Sequence, residues 1–262
     1  MKVACIQLSS TDNYKRNIDT ILKYIKLAIK KNADLIITPE TSSIISDNKK
    51  KLYQFSFTMG KDPLVKKLKE ISKIKKKWIL IGSLSIKEGN KLRNRSILIN
   101  PKGNIETYYD KINMFDVKVS KKESHNESKI FKAGNKLVFA KTPWGNLGLT
   151  ICYDLRFPEL YRNLSKNNLK FISVPSAFTK ITGKKHWLTL LKARAIENFC
   201  YIFAPNQSGK NSLNRETFGH SVIISPDGKI LKLKKNGNGI IITKIKPEES
   251  KRLRKIIPSL IK

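Results

Sequence analysis

Cysteine, histidine and acidic residues are all scarce in this 262-residue chain, and each shortage excludes something. Cys5, Cys152 and Cys200 are odd in number and form no CxxC pair, which argues against a disulfide framework or a zinc knuckle and fits a reducing cytoplasm. His125, His186 and His220 are too few and scattered for a metal cluster, and there is no glycine-rich phosphate loop. Neither a metal nor any other cofactor is therefore expected. No apolar run approaches the ~18–20 residues needed to span a bilayer, so no membrane partner is expected. The N-terminus, MKVACIQLSS, turns polar too soon for the hydrophobic region of a signal peptide and reads as a first strand.

Only 20 Asp+Glu stand against 53 Lys+Arg, a formal charge of +33. Such an excess raises the question of nucleic acid. However, only 9 of the basic residues are Arg. The 44 Lys are spread over the whole length, in runs no longer than Lys49–Lys51 or Lys75–Lys77. A nucleic-acid binder gathers Arg and aromatic side chains on one face. An A/T-biased codon usage accounts for the abundance of Lys, Asn and Ile. No specific nucleic-acid partner is expected, beyond weak adhesion to polyanions at low salt.

Short apolar runs alternate with amphipathic stretches from end to end. Val3–Leu8 and Ala33–Thr38 read as strands, with a helix over Tyr14–Lys31 on the spacing of Ile18, Ile21, Leu22, Ile25 and Ile29. Pro63–Ile74 reads as a helix. Strands are expected at Trp78–Ile86, at Arg95–Asn100 and, after the turn Pro101–Asn104, through Tyr109. The second half offers strands at Leu137–Lys141, Gly148–Cys152, Phe171–Pro175, Cys200–Pro205, Ser221–Ser225, Lys229–Leu233 and Ile240–Ile245. Helices are expected over Pro158–Ser165 and Lys185–Asn198. With no internal repeat or low-complexity linker, one domain over residues 1–262 is expected, an α/β sandwich with mixed sheets. The long loop over 112–136 points to function.

Ligands of open α/β sheets sit beyond the carboxyl ends of strands. Three such ends carry reactive side chains: Glu40 after Leu35–Pro39, Lys111 after Thr107–Asp110, and Cys152 after Leu147–Ile151. Pro158 would start a helix shortly after Cys152. A cysteine on so sharp a turn exposes its sulfur, and nearby N–H groups would favour the thiolate and leave the Tyr153 N–H for an oxyanion. The alternative is a small core residue, which is how Cys5 and Cys200 read. No histidine stands in a recognisable Cys–His pairing, so a nucleophilic Cys152 would need a carboxylate base. Glu40 and Lys111 taken singly could equally be solvated charges.

Together these residues resemble a family. Thr38-Pro39-Glu40, Tyr109–Asp116 around Lys111, and Ile151–Glu159 around Cys152 are similar to the three signature segments of the nitrilase superfamily of carbon–nitrogen hydrolases. Asn126–Lys129 and Ala133-Gly134-Asn135 resemble the segment bearing that family's second glutamate, and the likeness runs from Lys2 to about Pro258. The resemblance implies a four-layer αββα sandwich and a Glu–Lys–Cys triad. Glu40 would be the general base, raised in pKa by burial, Lys111 the cation that offsets the oxyanion, and Cys152 the nucleophile. Glu127 would orient Lys111.

Val174–Gly183, His186-Trp187 and Ala193–Asn198 look like the Nit-type branch, which includes amidases of deaminated glutathione and omega-amidases of 2-oxo acid amides. The resemblance therefore implies a small amide substrate bearing a carboxylate or 2-oxo acid, deaminated glutathione foremost, and a homodimer. The chain ends at Lys262, where relatives carry a tail across the dimer, so a weaker dimer contact is expected. Asn113-Met114 stands where Nit-type sequences more often have His-Leu.

Arg156 and Arg194 are candidate anchors for the substrate carboxylate, with Ser176, Phe178, Thr182 and His186 lining the acyl pocket. The plainer readings are a salt bridge from Arg156 to Asp154 or Glu159, and helix packing for Arg194 and His186-Trp187. A nitrilase or N-carbamoyl hydrolase with the same triad, and a polyanion-binding protein with a relic site, are the rival functions.

Overall fold

The computed structural model describes residues 1–120, 124–212 and 215–260. The expectation about the end of the chain at Lys262, and part of the 112–136 loop, lie outside the described residues. The first half runs β1 (Lys2–Gln7), α1 (Tyr14–Lys30), β2 (Leu35–Ile37), α2 (Lys49–Gln54), α3 (Pro63–Lys75), β3 (Trp78–Glu88), β4 (Lys91–Ile99) and β5 (Ile105–Asp110). A small hairpin, β6 (Asp116–Lys118) with β7 (Ser124–Asn126), follows. The second half runs β8 (Val138–Thr142), β9 (Gly145–Leu149), α4 (Pro158–Ser165), β10 (Leu169–Ser173), α5 (Lys180–Asn198) and β11 (Tyr201–Ala204). Next come the hairpin β12 (Ser208–Ser212) and β13 (Arg215–Phe218), then β14 (Ser221–Ile224), β15 (Ile230–Lys234), β16 (Gly239–Lys244) and α6 (Glu248–Ile256).

Two six-stranded sheets form, in the orders β16-β1-β2-β3-β4-β5 and β15-β14-β11-β10-β9-β8. Each has three parallel strands, β1-β2-β3 and β9-β10-β11, flanked by antiparallel ones. The halves thus share a topology that no sequence repeat betrayed. Side-chain alternation explains the layering. On the first sheet Ala4, Ile6, Ile36, Ile79 and Ile97 pack against Ile21, Ile25 and Ala28 of α1 and Leu64 and Leu68 of α3. Their neighbours Val3, Cys5, Leu35, Ile37, Leu80 and Leu98 face the second sheet, meeting Ala140, Leu147, Leu149 and Phe171. Leu160, Leu164, Trp187 and Leu191 cover the second sheet's far side. The result is the αββα sandwich.

Capping explains where the helices begin. Asn13 accepts from the Arg16 N–H at 3.0 Å, and Asp62 accepts from the Val65 N–H at 3.0 Å ahead of Pro63. The element boundaries expected from sequence shift in places. α2, α6 and the two small hairpins were not foreseen, α5 begins five residues earlier than Lys185, and β9 stops at Leu149, so Cys152 stands beyond the strand in a tight 3₁₀ turn over Cys152–Arg156. None of the described helices is long and apolar enough to cross a membrane.

Candidate active site

Strand ends from both sheets meet over one cavity. Glu40 follows β2 through Thr38-Pro39, a path that depends on Gly82 of β3, because a Cβ there would collide with the carbonyl oxygens of Thr38 and Pro39. Cys152 adopts a left-handed φ of 47°, a conformation that costs a non-glycine residue free energy and recurs at functional turns. Its N–H donates to the Pro175 carbonyl at 3.0 Å, which ties the turn to the end of β10. The Asp154 carboxylate accepts from the Tyr109 hydroxyl (2.7 Å), the Ile151 N–H (2.9 Å) and both the N–H and side-chain amide of Asn113 (3.0 and 2.9 Å). Asp154 therefore locks the Cys152 turn to the segment carrying Lys111. Asn113 has a purpose of its own in that lock.

Lys111 lies between two carboxylates, donating to Glu40 Oε1 at 2.9 Å and Glu127 Oε2 at 2.7 Å. Its side chain is 2% exposed and that of Glu40 3%. The Asn94 amide spans the same pair, giving Glu40 Oε1 2.9 Å and Glu127 Oε1 2.8 Å. Glu127 Oε2 also accepts the Phe115 N–H at 2.8 Å, and Glu40 Oε2 the Ala177 N–H at 2.8 Å. The Tyr153 N–H, in the first turn after Cys152, has no acceptor inside that short helix. The Tyr153 ring packs edge-on against Phe115 and Phe157.

Two protonation expectations are corrected. Burial would raise the Glu40 carboxyl, but the charges of Lys111 and then Arg215 outweigh it and hold Glu40 below the usual carboxylate range. Burial, and next the Glu40 charge, push the Cys152 thiol far above its ordinary value against the pull of Lys111, so the resting group is a thiol and not the thiolate expected of the turn. Burial would lower Lys111, yet Glu127 and Glu40 raise it and keep it charged. The site can thus hold an ionised base beside a neutral thiol and a permanent cation.

The cavity, about 230 Å³, is lined on its polar side by Glu40, Ser85, Lys111, Glu127, Cys152 and Arg215, and on its apolar side by Ile44, Ile45, Leu52, Phe115, Ile130 and Phe131. None of the six residues expected to bind the substrate, the two anchors Arg156 and Arg194 or the four pocket residues, is among them. Arg194 is buried and spends its donors on the Leu155 carbonyl (2.9 and 3.2 Å) and Glu197 (2.9 Å), so it braces the elbow from behind. Arg156 makes no salt bridge to Asp154 or Glu159. Its guanidinium lies over Phe178, 5.1 Å from the ring centroid, and 3.2 Å from His186 Nδ1. Phe178 packs on Trp187. The Ser176 hydroxyl donates to the Val174 carbonyl, and Thr182 pairs with Thr179. These side chains form the shell around the Cys152 turn, not the cavity wall.

Sequence reasoning missed Asn94 and Arg215. A polar residue beside the apolar stretch of β4, and one of only nine arginines in a chain that mostly uses lysine, were the available signals. Among the described residues no group of three or more His, Cys, Asp or Glu side chains could hold a metal ion.

The carbon–nitrogen hydrolase profile matches residues 2–255, and the chain belongs to that family. A deaminated glutathione amidase of Synechocystis sp. is 38% identical over 262 residues, covering 98% of this chain and 96% of that protein. The crystal structure of Caenorhabditis elegans NitFhit superposes with a TM-score of 0.92 at 32% identity, covering 98% of this chain, which spans 63% of NitFhit. Saccharomyces cerevisiae Nit3, a member of branch 10 of the nitrilase superfamily, gives 0.88 at 25% identity over 98% of this chain and 94% of its own. The protein is an enzyme that hydrolyses carbon–nitrogen bonds.

Proposed function

We propose that the protein is an amidase whose single hydrolase domain cleaves a small 2-oxo-acid-bearing amide, deaminated glutathione first among them, through a thioester on Cys152. The observation carrying this reading is the buried Glu40–Lys111–Glu127 cluster opening, beside Cys152, onto one cavity. The Synechocystis relative supports the substrate.

Glu40 takes the thiol proton as Sγ attacks the amide carbon, and the C=O electron pair moves onto oxygen. Lys111 and the Tyr153 N–H offset that oxyanion, and Glu127 holds the ammonium in place. When the tetrahedral intermediate collapses, the C–N bond breaks and the departing amine takes the proton from Glu40. Water then gives a proton to Glu40 while its oxygen attacks the thioester. The acid leaves, and the proton returns to Cys152. A homodimer, and a reducing cytoplasm in accord with three free cysteines, complete the reading.

The test is side-by-side hydrolysis of deaminated glutathione, alpha-ketoglutaramate and an aliphatic nitrile by the purified protein, with mass spectrometry of the acyl-enzyme. Deaminated glutathione should be cleaved fastest. Faster turnover of alpha-ketoglutaramate moves the protein to the omega-amidase reading, and preference for the nitrile defeats the amidase reading.

A further inference from the structure

Two carboxylates share one ammonium in the inner cluster, and all of their oxygens need donors there. Lys111 Nζ reaches one oxygen of each, Glu40 Oε1 at 2.9 Å and Glu127 Oε2 at 2.7 Å. The Ala177 N–H covers Glu40 Oε2, and the Phe115 N–H gives Glu127 Oε2 a second donor. Among the described residues only Asn94 donates to Glu127 Oε1, at 2.8 Å, and the same amide nitrogen also donates to Glu40 Oε1 at 2.9 Å. The Asn94 backbone carbonyl accepts the Lys111 N–H at 3.0 Å, so amide and ammonium are held in one register.

Asn94 is 2% exposed, and its Oδ1 is buried with no donor among the described residues. Such an orphaned acceptor is uncommon in native proteins. Turning the amide over would not relieve it, because Oδ1 would then face two carboxylate oxygens. The orientation is therefore set by the two hydrogen bonds that it gives. An ammonium has three N–H donors, and the carboxylates already take two of those on Lys111. Without the amide, Glu40 Oε1 and Glu127 Oε1 would compete for the third, or one carboxyl would take up a proton. The first outcome removes an oxyanion donor, and the second removes the base or the group that orients Lys111.

We propose that Asn94 is a positioning residue of the reaction: its amide supplies the hydrogen bonds that the two carboxylates would otherwise draw from Lys111, and so reserves the third Lys111 N–H for the oxyanion. This assignment rests on the amidase reading. The other titratable groups facing the pair are Cys152, Arg215, Asp47 and His125 around the cavity, with Asp116 and Asp154 in the field of Lys111. All of them are kept when Asn94 alone is replaced, so a pH limb that any of them imposes appears in the wild type as well.

The experiment compares the wild type with Asn94→Leu, which keeps the bulk and removes both donors, by hydrolysis of alpha-ketoglutaramate and by thermal unfolding over a pH range of about 5–8. The kcat should fall about 10–10²-fold, less than on loss of Lys111 itself, with KM changed by less than about threefold. An acid limb, absent from the wild type in this range, should appear in kcat/KM. A carboxyl raised above its unfolded pKa stabilises the variant fully below that pKa, and this contribution is lost as pH rises through the folded value. The unfolding deficit of Asn94→Leu should therefore shrink by about 2–4 °C as pH falls from about 8 to about 5. An unchanged kcat, a profile without the limb, or a deficit equal at every pH leaves Asn94 an ordinary brace and overturns the proposal. Should Asn94→Leu fail to fold by circular dichroism, Asn94→Ala decides by the same readings. If neither folds, the amide is structural and the proposal falls. If the wild type cleaves no amide, the amidase reading fails separately, and the unfolding series alone decides. A shrinking deficit then upholds Asn94 as the donor that the pair depends on, and a constant one overturns it.

Discussion

Asn94 and Arg95 are chain neighbours on β4, as Asp110 and Lys111 are at the end of β5, yet the two pairs build different things. Asn94 and Lys111 turn to the cavity and join Glu40 and Glu127. Arg95 and Asp110 turn the other way, into a two-pronged pair of 2.7 and 2.8 Å that Glu88 joins at 2.8 Å and that lies over Tyr108. Strand alternation alone sends them apart. Both clusters set a cation between two carboxylates. What separates them is their neighbourhood: both border a cavity, but the outer cluster meets solvent at Glu88, 46% exposed, whereas the inner one lies buried beside a thiol. Charge pairing braces a fold wherever it occurs. Chemistry needs the pair beside a reactive atom with room for a substrate.

The sharpest break in that contrast removes the reactive atom. Cys152→Ala should lower amide hydrolysis by roughly 10⁴-fold or more while the thermal unfolding midpoint stays near that of the wild type. Retained turnover would strip the inner cluster of its distinction. Next in size, Lys111→Ala should cut kcat by about 10²–10³-fold, as the loss of an oxyanion donor does, and Lys111→Arg should recover little because a planar fork replaces a compact ammonium.

The pH profile tests the same cluster. Glu40 is depressed and Lys111 raised. The stability that Glu40 contributes is present above its unfolded pKa and is lost as pH falls through its lower folded value. That of Lys111 is present below its unfolded pKa and lost as pH rises through its higher folded value. Neither group should therefore impose a limb on kcat/KM between the ordinary carboxylate value near ~4.3 and the ordinary lysine value near ~10.4. Alkylation of Cys152 should likewise show no inflection near ~8.5, because its thiol is raised.

On the outer face the effects belong to stability. Arg95→Ala should cost about 1–3 kcal/mol in denaturant unfolding, since it removes both hydrogen bonds to the mostly buried Asp110 and leaves it only Arg93, 3.9 Å away. Its effect on kcat should stay well below that of Lys111→Ala. Smallest of all, Glu88→Gln should change stability by about 0.2–1 kcal/mol, the range of a solvated ion pair. A larger loss of turnover from Arg95→Ala than from Lys111→Ala would reverse the roles assigned to the two faces.

Periodicity and strand-end residues were legible along the chain. The apolar alternation of β1, β2 and β3 and the stripe of α1 follow from burying one face of each element. The reactive residues stand out because Glu40, Lys111 and Cys152 each follow the end of a strand. The protonation states were not legible: from burial alone Glu40 would be raised, and only its contacts with Lys111 and its proximity to Arg215 reverse the sign. Which arginine lines the cavity was not legible either. Arg156 and Arg194 lie close in sequence to Cys152 or on the helix that follows it, but their rings and carbonyl partners hold them outside the cavity. Arg215, 63 positions beyond Cys152, reaches the cavity on a hairpin whose pairing to Phe178 and Thr179 is long-range. Local pattern determines which residues form a strand, a helix or a sharp turn, because those preferences act over a few bonds. Which side chains share a cavity, and which charge prevails there, depends on distances that exist only after the two sheets have packed.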